Sequence, residues 1–284
     1  ISTTMMALSR PGDVVVYTAP AYGGTEYLFD RILPRMGVET VSIADCDDGQ
    51  GLAAAIRSAS ERAAATGGRL AAVYVETPAN PTNQLIDLEA AAAAIRALGM
   101  AEPPLLVVDN TFLGPLWQRP LQHGADLVLY SLTKYVGGHS DLIAGACLGR
   151  ADLMARVGEM RTICGTITDP HTAWLLMRSL ETLHIRMERS QANAGALVAR
   201  LRGHPKIESV LDAGGAEASA SQQALFARQC QHDGRIHAAR HQHHRPLLLL
   251  FHLGSVGRIL ATDLRGWARI KRHHFRRLYP RSSA

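Results

Sequence analysis

The sequence predicts an α/β protein with a mostly parallel sheet flanked by helices, and two observations support this fold class. Six short runs of β-branched and aliphatic residues recur within the first 148 residues, and unbroken apolar runs of this length are typical of strands buried on both faces. Longer segments rich in Ala and Leu separate these runs. Strands that alternate with helical segments indicate crossover connections, which join parallel strands.

The predicted elements follow in chain order. We expect strands at 13–18, 38–43, 70–75, 105–109, 126–130 and 143–148, and helices at 24–36, 51–66, 87–99 and 115–123. The segment 171–202 is predicted to be one long helical stretch, in which Trp174, Met177 and Met187 are interpreted as core residues. A large domain is predicted over 1–190, and the start of a smaller, incomplete C-terminal domain over 191–230.

The composition favours a cytoplasmic protein without a membrane partner. Of the 284 residues 47% are hydrophobic, yet no apolar run approaches the roughly 20 residues that a membrane-spanning helix needs. The four cysteines are far apart and form no C-x-x-C pair, which fits reduced thiols. Position 1 is Ile and no basic-then-apolar leader follows, so we expect a fragment that lacks its natural start.

Residues 231–284 form a basic, atypical tail. They hold ten arginines and one lysine against two aspartates, whereas the whole chain has a net charge of +5. A disordered tail, a nucleic-acid-binding arm and translation of a shifted reading frame all give such a change; we favour the shifted frame because the change is abrupt after Cys230. No recognisable motif supports a metal site or a nucleic-acid partner in this tail.

Lys134 is the first candidate for chemistry. The chain has three lysines against twenty-seven arginines, so arginine already meets any general need for positive charge. A lysine amine can lose its proton and attack a carbonyl to form a Schiff base, which a guanidinium cannot do. Lys134 also follows the predicted strand 126–130, and open α/β sheets bind ligands at the carboxyl ends of their strands.

The neighbours of Lys134 suit a phosphorylated pyridine ring. Ser131 and Thr133 supply hydroxyls, and the turn at Gly137-Gly138 lets main chain approach a ligand closely, which together suit a phosphate. Asp109 ends another buried apolar run, where a carboxylate is costly unless a cation pairs with it. A protonated pyridine nitrogen would be such a cation, and the carboxylate would keep the ring an electron sink.

Two further turns add Tyr22 and Asn80. Tyr22 follows the first strand and offers a ring face for stacking and a phenol for proton transfer, while Asn80 follows the third and offers an amide donor for a ring oxygen. Ordinary turn chemistry remains an alternative for both residues. For Asp109 the alternative is a helix cap or a residue that simply ends a strand.

The motifs that contain these residues resemble one enzyme family over residues 1–230. The most specific stretch is Ser131-Leu-Thr-Lys-Tyr-Val-Gly-Gly-His-Ser-Asp141. The supporting motifs, in chain order, are Ala21-Tyr-Gly-Gly, Glu76-Thr-Pro-Ala-Asn-Pro-Thr, Val108-Asp-Asn-Thr-Phe and the segment 169–183. Together they resemble the Cys/Met-metabolism family of fold-type I pyridoxal-phosphate enzymes. That family includes cystathionine γ-synthase, cystathionine lyases, methionine γ-lyase and O-acylhomoserine sulfhydrylases.

The resemblance implies a fold like that of aspartate aminotransferase, with pyridoxal 5′-phosphate as cofactor and catalysis by Lys134 and Tyr22. It implies that Lys134 forms the Schiff base and moves the α-proton, Asp109 binds the pyridine nitrogen, Asn80 binds the ring hydroxyl and Tyr22 stacks on the ring. Ser131 and Thr133 would bind the phosphate.

The implied activity is trans-sulfuration. The substrate would be a small sulfur amino acid or O-acylhomoserine, and the reaction a γ-replacement or γ-elimination like that of cystathionine γ-synthase. Methionine γ-lyase, cystathionine lyase and O-acylhomoserine sulfhydrylase remain alternatives. Gly24 tilts the choice toward the synthase, because methionine γ-lyases commonly carry Cys after Tyr-Gly.

The resemblance also predicts what this chain would lack. The Gly-containing phosphate loop and a neighbour-binding Tyr-x-Arg segment are expected to precede Ile1, and no tail arginine can be assigned to the substrate carboxylate. We therefore expect weak cofactor binding and little activity, so a fragment without catalysis is the alternative from another class. Full-length family members are homodimers or homotetramers.

The residues before Lys134 also match a motif of another enzyme class. Ser131-Leu-Thr-Lys134 matches the S-x-x-K pattern of penicillin-recognising acyl enzymes, but the Ser-Asp-Asn and Lys-Thr-Gly partners of that pattern do not occur in the chain.

Overall fold

A computed structural model describes residues 1–44, 49–212, 218–229 and 237–241 of the chain. Most of the tail predicted at 231–284 lies outside these ranges, as do Cys46 and Cys230. Cys147 and Cys164 are free thiols. Within the described ranges, no helix is both long enough and apolar enough to span a membrane.

A central sheet confirms the predicted fold class. Its strands are β1 (Val14–Thr18), β2 (Glu39–Ile43), β3 (Leu70–Glu76), β4 (Leu105–Asp109), β5 (Leu127–Ser131) and β6 (Gly145–Gly149). In the described part of the chain they lie in the order β2-β1-β3-β4-β5-β6. The first five are parallel, and β6 runs antiparallel to β5. All six predicted strands are therefore present, with boundaries that differ from the prediction by at most two residues.

The sheet is buried at its centre and partly exposed at its sides. Every residue of β1 and β3 is buried, as expected for parallel strands that are covered on both faces. The prediction that all six strands are buried on both faces is wrong for β2 and β6, where most residues are partly or fully exposed. These two strands form the sides of the described sheet, so each has one neighbouring strand only.

Helices cover both faces of the sheet. They are α1 (Ser2–Leu8), α2 (Gly23–Tyr27), α3 (Gly49–Ala65) and α4 (Leu88–Ala97). After α2 the chain stays helical through a π turn at Leu28–Ile32 and a 3-10 turn at Leu33–Met36. α3 and α4 pack on one face, and α1 and the helical turns from Leu28 to Met36 pack on the other. The predicted helices at 24–36, 51–66 and 87–99 are confirmed, while α1 was not predicted.

The later helices differ more from expectation. α5 (Gly114–Trp117) and a 3-10 turn at Pro120–His123 replace the single helix predicted at 115–123, because Gln118 is extended. α6 (Ala151–Cys164), of which only Leu153 and Val157 are buried, was not predicted. The stretch predicted as helical over 171–202 is divided into α7 (Pro170–Leu180) and α8 (Leu183–Leu201) by a turn in which the N–H of Thr182 donates to the carbonyl of Ser179.

Of the three apolar residues in α7 and α8 that were interpreted as core, one is buried and two are exposed. Met187 is 1% exposed and belongs to a buried cluster with Leu113 and Trp117. Trp174 and Met177 are 55% and 71% exposed. Apolar residues at helical spacing mark one face of a helix, but they do not show whether another part of the same chain covers that face.

The C-terminal elements begin with β7 (Ile207–Asp212), which pairs antiparallel with β8 (His237–His241). Between them in the sequence lies α9 (Ala220–Gln229), which contacts the segment before α4 and the first residue of α4 through two glutamine side chains. The side-chain amide of Gln222 bonds to the N–H and carbonyl of Leu85 at 2.7 and 2.9 Å. The amide of Gln229 accepts from Leu88 N at 2.7 Å and donates to Ile86 O at 2.9 Å. The domain boundary at 190 stays a prediction.

Candidate active site

The predicted site residues lie at one edge of the sheet, where four neighbouring parallel strands end. From β1 the next strand, β2, is added on one side, whereas β3, β4 and β5 are added on the other, so the order of the strands across the sheet reverses between β1 and β3. Open sheets bind ligands in the crevice at such a switch point, beyond the carboxyl ends of the strands. Residues in or just after the ends of these strands are Tyr22 (β1), Asn80 (β3), Asp109 (β4), and Ser131, Thr133 and Lys134 (β5).

Lys134 and Tyr22 face each other across this edge. The Nζ atom of Lys134 lies 5.9 Å from the centre of the Tyr22 ring. The ring is 53% exposed, and the lysine is half-buried in the turn after β5. In that turn the N–H of Lys134 donates to Ser131 O at 3.1 Å, and its carbonyl accepts from Gly138 N at 2.8 Å. The main chain of Lys134 is thus held in the turn after β5, and its amine lies beside the aromatic ring of Tyr22.

Arg186 of α8 fastens the turn that follows Lys134. Its Nη1 donates to Tyr135 O at 2.5 Å and its Nη2 to Val136 O at 3.1 Å. The same guanidinium reaches Ser179 O at 2.7 Å and Thr182 Oγ1 at 3.0 Å. Burial lowers the pKa of Arg186 from its usual value. This contact is absent from the sequence prediction, because no local pattern links α8 to the lysine turn.

Asp109 is a buried carboxylate held by hydroxyl groups. Its Oδ2 accepts from the Tyr74 hydroxyl at 3.2 Å, and its Oδ1 accepts from Thr111 N at 3.0 Å and Thr111 Oγ1 at 2.5 Å. Burial raises the pKa of Asp109, although the hydrogen bonds from Thr111 and Tyr74 oppose the rise. Asp109 is not a helix cap, since Leu113 occupies that position of α5.

Thr111 links Asp109 to the strand that carries the lysine turn. Its hydroxyl donates to Asp109 and accepts from Ser131 N at 2.8 Å. One side chain therefore joins the ends of β4 and β5, in addition to the main-chain pairing of the two strands. The sequence prediction included both partners of Thr111 but not Thr111 itself.

The two predicted phosphate ligands differ in their surroundings. The Thr133 hydroxyl donates to Ala144 O at 3.2 Å and accepts from Ala144 N at 3.0 Å, so it ties the turn to the segment that enters β6. Ser131 is half-buried at the end of β5. The structure places both residues beside Lys134. For Thr133 to donate to a phosphate, its hydroxyl would have to give up Ala144 O.

Glu76 is a site residue that the sequence prediction missed. It ends β3 directly opposite Asp109 on β4 and is 7% exposed. Its Oε2 accepts from Tyr22 N at 2.9 Å, and its Oε1 accepts from Asn80 N at 2.8 Å. Burial is the main cause that raises the pKa of Glu76 to about 7. The signal that identified Asp109, a carboxylate at the end of a buried apolar run, also marks Glu76.

These groups fit a phosphorylated pyridine aldehyde. A buried carboxylate whose pKa is raised by burial would gain from a cationic ring nitrogen against it. The site also provides an amine for the aldehyde and an exposed aromatic face. The glycine turn does not provide the expected open approach for a phosphate, because the Arg186 guanidinium lies against Gly138 and Leu142 against Gly137. Fold and site together define the class of pyridoxal-phosphate-dependent enzymes of fold type I.

Comparisons with known proteins place the chain within that class. The family model described as "Cys/Met metabolism PLP-dependent enzyme" matches residues 1–244. The chain belongs to this family, so the resemblance inferred from its motifs is confirmed.

Individual relatives agree with the family. A cystathionine γ-lyase of Bacillus subtilis is 36% identical over 209 residues, which is 73% of this chain and 51% of that protein. A cystathionine γ-synthase of Mycobacterium bovis is 39% identical over 210 residues, 73% of this chain and 50% of that protein. The chain thus spans about half the length of these curated relatives.

A solved structure is similar over most of the described fold. It is the cystathionine γ-synthase of Xanthomonas oryzae pv. oryzae, in complex with aminoacrylate and cysteine. The two chains are 34% identical with a TM-score of 0.74, and the match covers 84% of this chain and 58% of that one.

Proposed function

We propose that the chain provides the lysine-bearing half of a trans-sulfuration enzyme that acts on a sulfur amino acid or O-acylhomoserine by γ-replacement or γ-elimination. The observation that carries the proposal is the position of Lys134 Nζ, 5.9 Å from the centre of the Tyr22 ring at the carboxyl edge of the sheet. The buried Asp109 on the next strand supports it. The names of the relatives support the same reaction class.

Six residues would hold pyridoxal phosphate at this edge. Lys134 would bind the aldehyde carbon, Asp109 the ring nitrogen, Asn80 the ring hydroxyl and Tyr22 the ring face. Ser131 and Thr133 would bind the phosphate. When bound, the cofactor supplies an electron sink for negative charge that develops on the substrate.

The proton transfers belong to Lys134 and Tyr22. A neutral amine at Lys134 Nζ is a base that can remove a proton from a substrate carbon and return it elsewhere. The phenol of Tyr22 is the second group at the edge that can carry a proton. The turn contacts of Lys134 and the fastening of its loop by Arg186 keep the amine oriented toward the Tyr22 ring, as such transfers require.

The particular reaction is proposed as cystathionine γ-synthesis. Gly24 supports this choice, because it stands where methionine γ-lyases commonly carry Cys after Tyr-Gly. The position is next to the Tyr22 ring, since a Cβ at residue 24 would lie 2.9 Å from Tyr22 Cε1. Methionine γ-lyase, cystathionine lyase and O-acylhomoserine sulfhydrylase are the alternatives. Relatives of similar identity carry lyase and synthase names, so product analysis has to choose between them.

The proposed setting is a cytoplasmic homodimer or homotetramer that binds a small amino acid and no nucleic acid. Exposed apolar residues on α6, on α7 and in the loop between these helices support an assembly surface: Ile163, Ile167, Trp174, Met177 and Leu180. Apolar patches of this kind commonly mark contacts between subunits. Light scattering of the purified chain tests this part of the proposal, and a monomer at all concentrations would contradict it.

Borohydride trapping tests the cofactor site. We expect protein incubated with pyridoxal phosphate and reduced with borohydride to carry one adduct, located by peptide mass spectrometry on Lys134. Lys134→Arg should abolish the adduct, whereas Lys206→Arg, at an exposed lysine away from the edge, should retain it. An adduct on Lys206 alone, or none on Lys134, would overturn the site.

An activity assay distinguishes an active enzyme from the alternative, a chain without catalysis. From O-acylhomoserine and cysteine the protein should form cystathionine if it catalyses γ-synthesis. It should form a keto acid and ammonia if elimination dominates. Trapping on Lys134 without either product would favour the chain without catalysis.

A further inference from the structure

Glu76 connects the two sides of the crevice in which the candidate site lies. It ends β3, and its two carboxylate oxygens accept from main-chain N–H groups of two different turns. Oε1 accepts from Asn80, four residues later, at 2.8 Å. Oε2 accepts at 2.9 Å from Tyr22, which follows β1 and is 54 residues away in the sequence. The carboxylate therefore spans the switch point between β1 and β3.

This use of a buried carboxylate is chemically specific. Glu76 is 7% exposed, and burying an ionised carboxylate is costly unless hydrogen bonds compensate it. An ionised carboxylate can accept at both oxygens, whereas Gln offers one acceptor and one NH₂ donor. A neutral residue of the same size would therefore leave one of the two N–H groups facing a donor.

We propose that Glu76 is a positioning residue whose ionised carboxylate sets the Tyr22 turn and the Asn80 turn at once, and so holds both side chains at the edge that Lys134 occupies. Its role toward the cofactor rests on the proposed function. Its role toward the two turns does not.

The charges around Glu76 make this role depend on pH. Asp109 faces it from β4, Glu26 from α2 and the phenol of Tyr74 from its own strand. Burial raises the pKa of Glu76 to about 7, and the charges of Asp109 and Glu26 add to the rise. Protonation converts one acceptor oxygen into a donor, so one of the two turns should loosen as the pH falls through this value.

Amide hydrogen exchange in the cofactor-free protein tests the role toward the turns. At about pH 8 we expect Glu76→Gln to lower the protection of the Tyr22 or the Asn80 amide by about 10- to 100-fold, since a hydrogen bond to a charged group is lost. Glu26→Gln is the matched control. It removes the neighbouring carboxylate, which accepts from Ala21 N at 3.0 Å, and should leave the Asn80 amide unchanged. Equal protection of both amides in wild type and Glu76→Gln would overturn the proposal.

The wild-type protein supplies a second test that needs no substitution. After correction for intrinsic exchange rates, protection of one of the two amides should fall as the pH is lowered through about 7, and Glu76→Gln should show no such step. A flat wild-type profile across that range would also overturn the proposal.

Cofactor binding then distinguishes the two proposals. If wild type binds pyridoxal phosphate, Glu76→Gln should bind it about tenfold more weakly at about pH 8, with a shifted visible absorbance. Equal affinity would overturn the role of Glu76 toward the cofactor while the proposed function stands. If wild type binds none, the proposed function fails, and the amide protections still decide whether Glu76 sets the turns.

Discussion

Arg186 donates a 2.5 Å hydrogen bond to the main-chain carbonyl of Tyr135, the residue that follows Lys134. A side chain on α8 therefore holds the lysine turn from outside, together with the main-chain hydrogen bonds inside the turn. The other three bonds of the guanidinium join the same turn to the junction of α7 and α8. The connection makes the orientation of Lys134 depend on helices that follow the sheet in the sequence.

Replacing Arg186 by Lys should therefore destabilise the protein despite the conserved charge. An ammonium group cannot reproduce the planar fork that reaches acceptors on the turn and at the helix junction. We expect a loss of about 2–3 kcal/mol in the free energy of unfolding, measured by urea denaturation. Arg189→Lys on the exposed side of the same helix should change it by less than about 0.5 kcal/mol. Equal effects of the two substitutions would contradict the role of Arg186.

Gly138 should tolerate no side chain. Its φ is +76°, and a Cβ at this position would overlap Nη1 of Arg186. Gly138→Ala therefore combines backbone strain with displacement of the guanidinium, and we expect a loss of about 2–4 kcal/mol in thermal or urea unfolding. Gly158→Ala on α6 is the control, because open space surrounds its Cβ. That substitution should stabilise the protein by about 0.5–1 kcal/mol.

The sequence predicts the strands and the ends of the strands well, because long apolar runs leave few alternatives. It therefore predicts Lys134 and Asp109, which lie at those ends. It fails for contacts between distant positions: Arg186 and Tyr135 are 51 residues apart, and Tyr22 and Glu76 are 54 apart. No local pattern encodes which donor meets which acceptor across such separations. The same limit explains β6, whose apolar composition does not reveal that it lies at the side of the described sheet.

Thr111→Val should weaken the link between β4 and β5. The substitution removes the hydroxyl that donates to Asp109 at 2.5 Å and accepts from Ser131 N at 2.8 Å. We expect a loss of about 1–3 kcal/mol in the free energy of unfolding and a further rise in the pKa of Asp109. Thr111→Ser keeps the hydroxyl and should restore most of the loss.

The effect of Thr111→Val should also depend on pH. Burial raises the pKa of Asp109 in the folded state, so the contribution of this group to stability is lost as the pH rises through its folded pKa. A higher pKa in the variant enlarges that loss, and the destabilisation should be larger at about pH 8 than at about pH 5. Denaturation at both values measures the difference, and a larger effect at the lower pH would contradict the account.

At about pH 8, Glu76→Gln should raise the free energy of unfolding of the whole protein although it loosens the Tyr22 or the Asn80 turn. Burial raises the pKa of Glu76 from its usual value of 4.5 to about 7. The folded protein therefore binds this proton more tightly than the unfolded chain does. The stability contributed by Glu76 is fully present below about pH 4.5 and is lost as the pH rises through about 7, a difference of up to about 3 kcal/mol.

Gln does not titrate, so this decline should be missing from the variant. We expect the difference in free energy of unfolding, Glu76→Gln minus wild type, to increase between about pH 5 and about pH 8 and to favour the variant at the upper end. Urea denaturation at intervals of pH measures the difference, and Glu26→Gln serves as the control for removal of a nearby carboxylate. Parallel curves for wild type and Glu76→Gln would show that Glu76 does not titrate in this range. An increase would mean that the fold gives up stability at neutral pH to keep an ionised carboxylate between the Tyr22 and Asn80 turns.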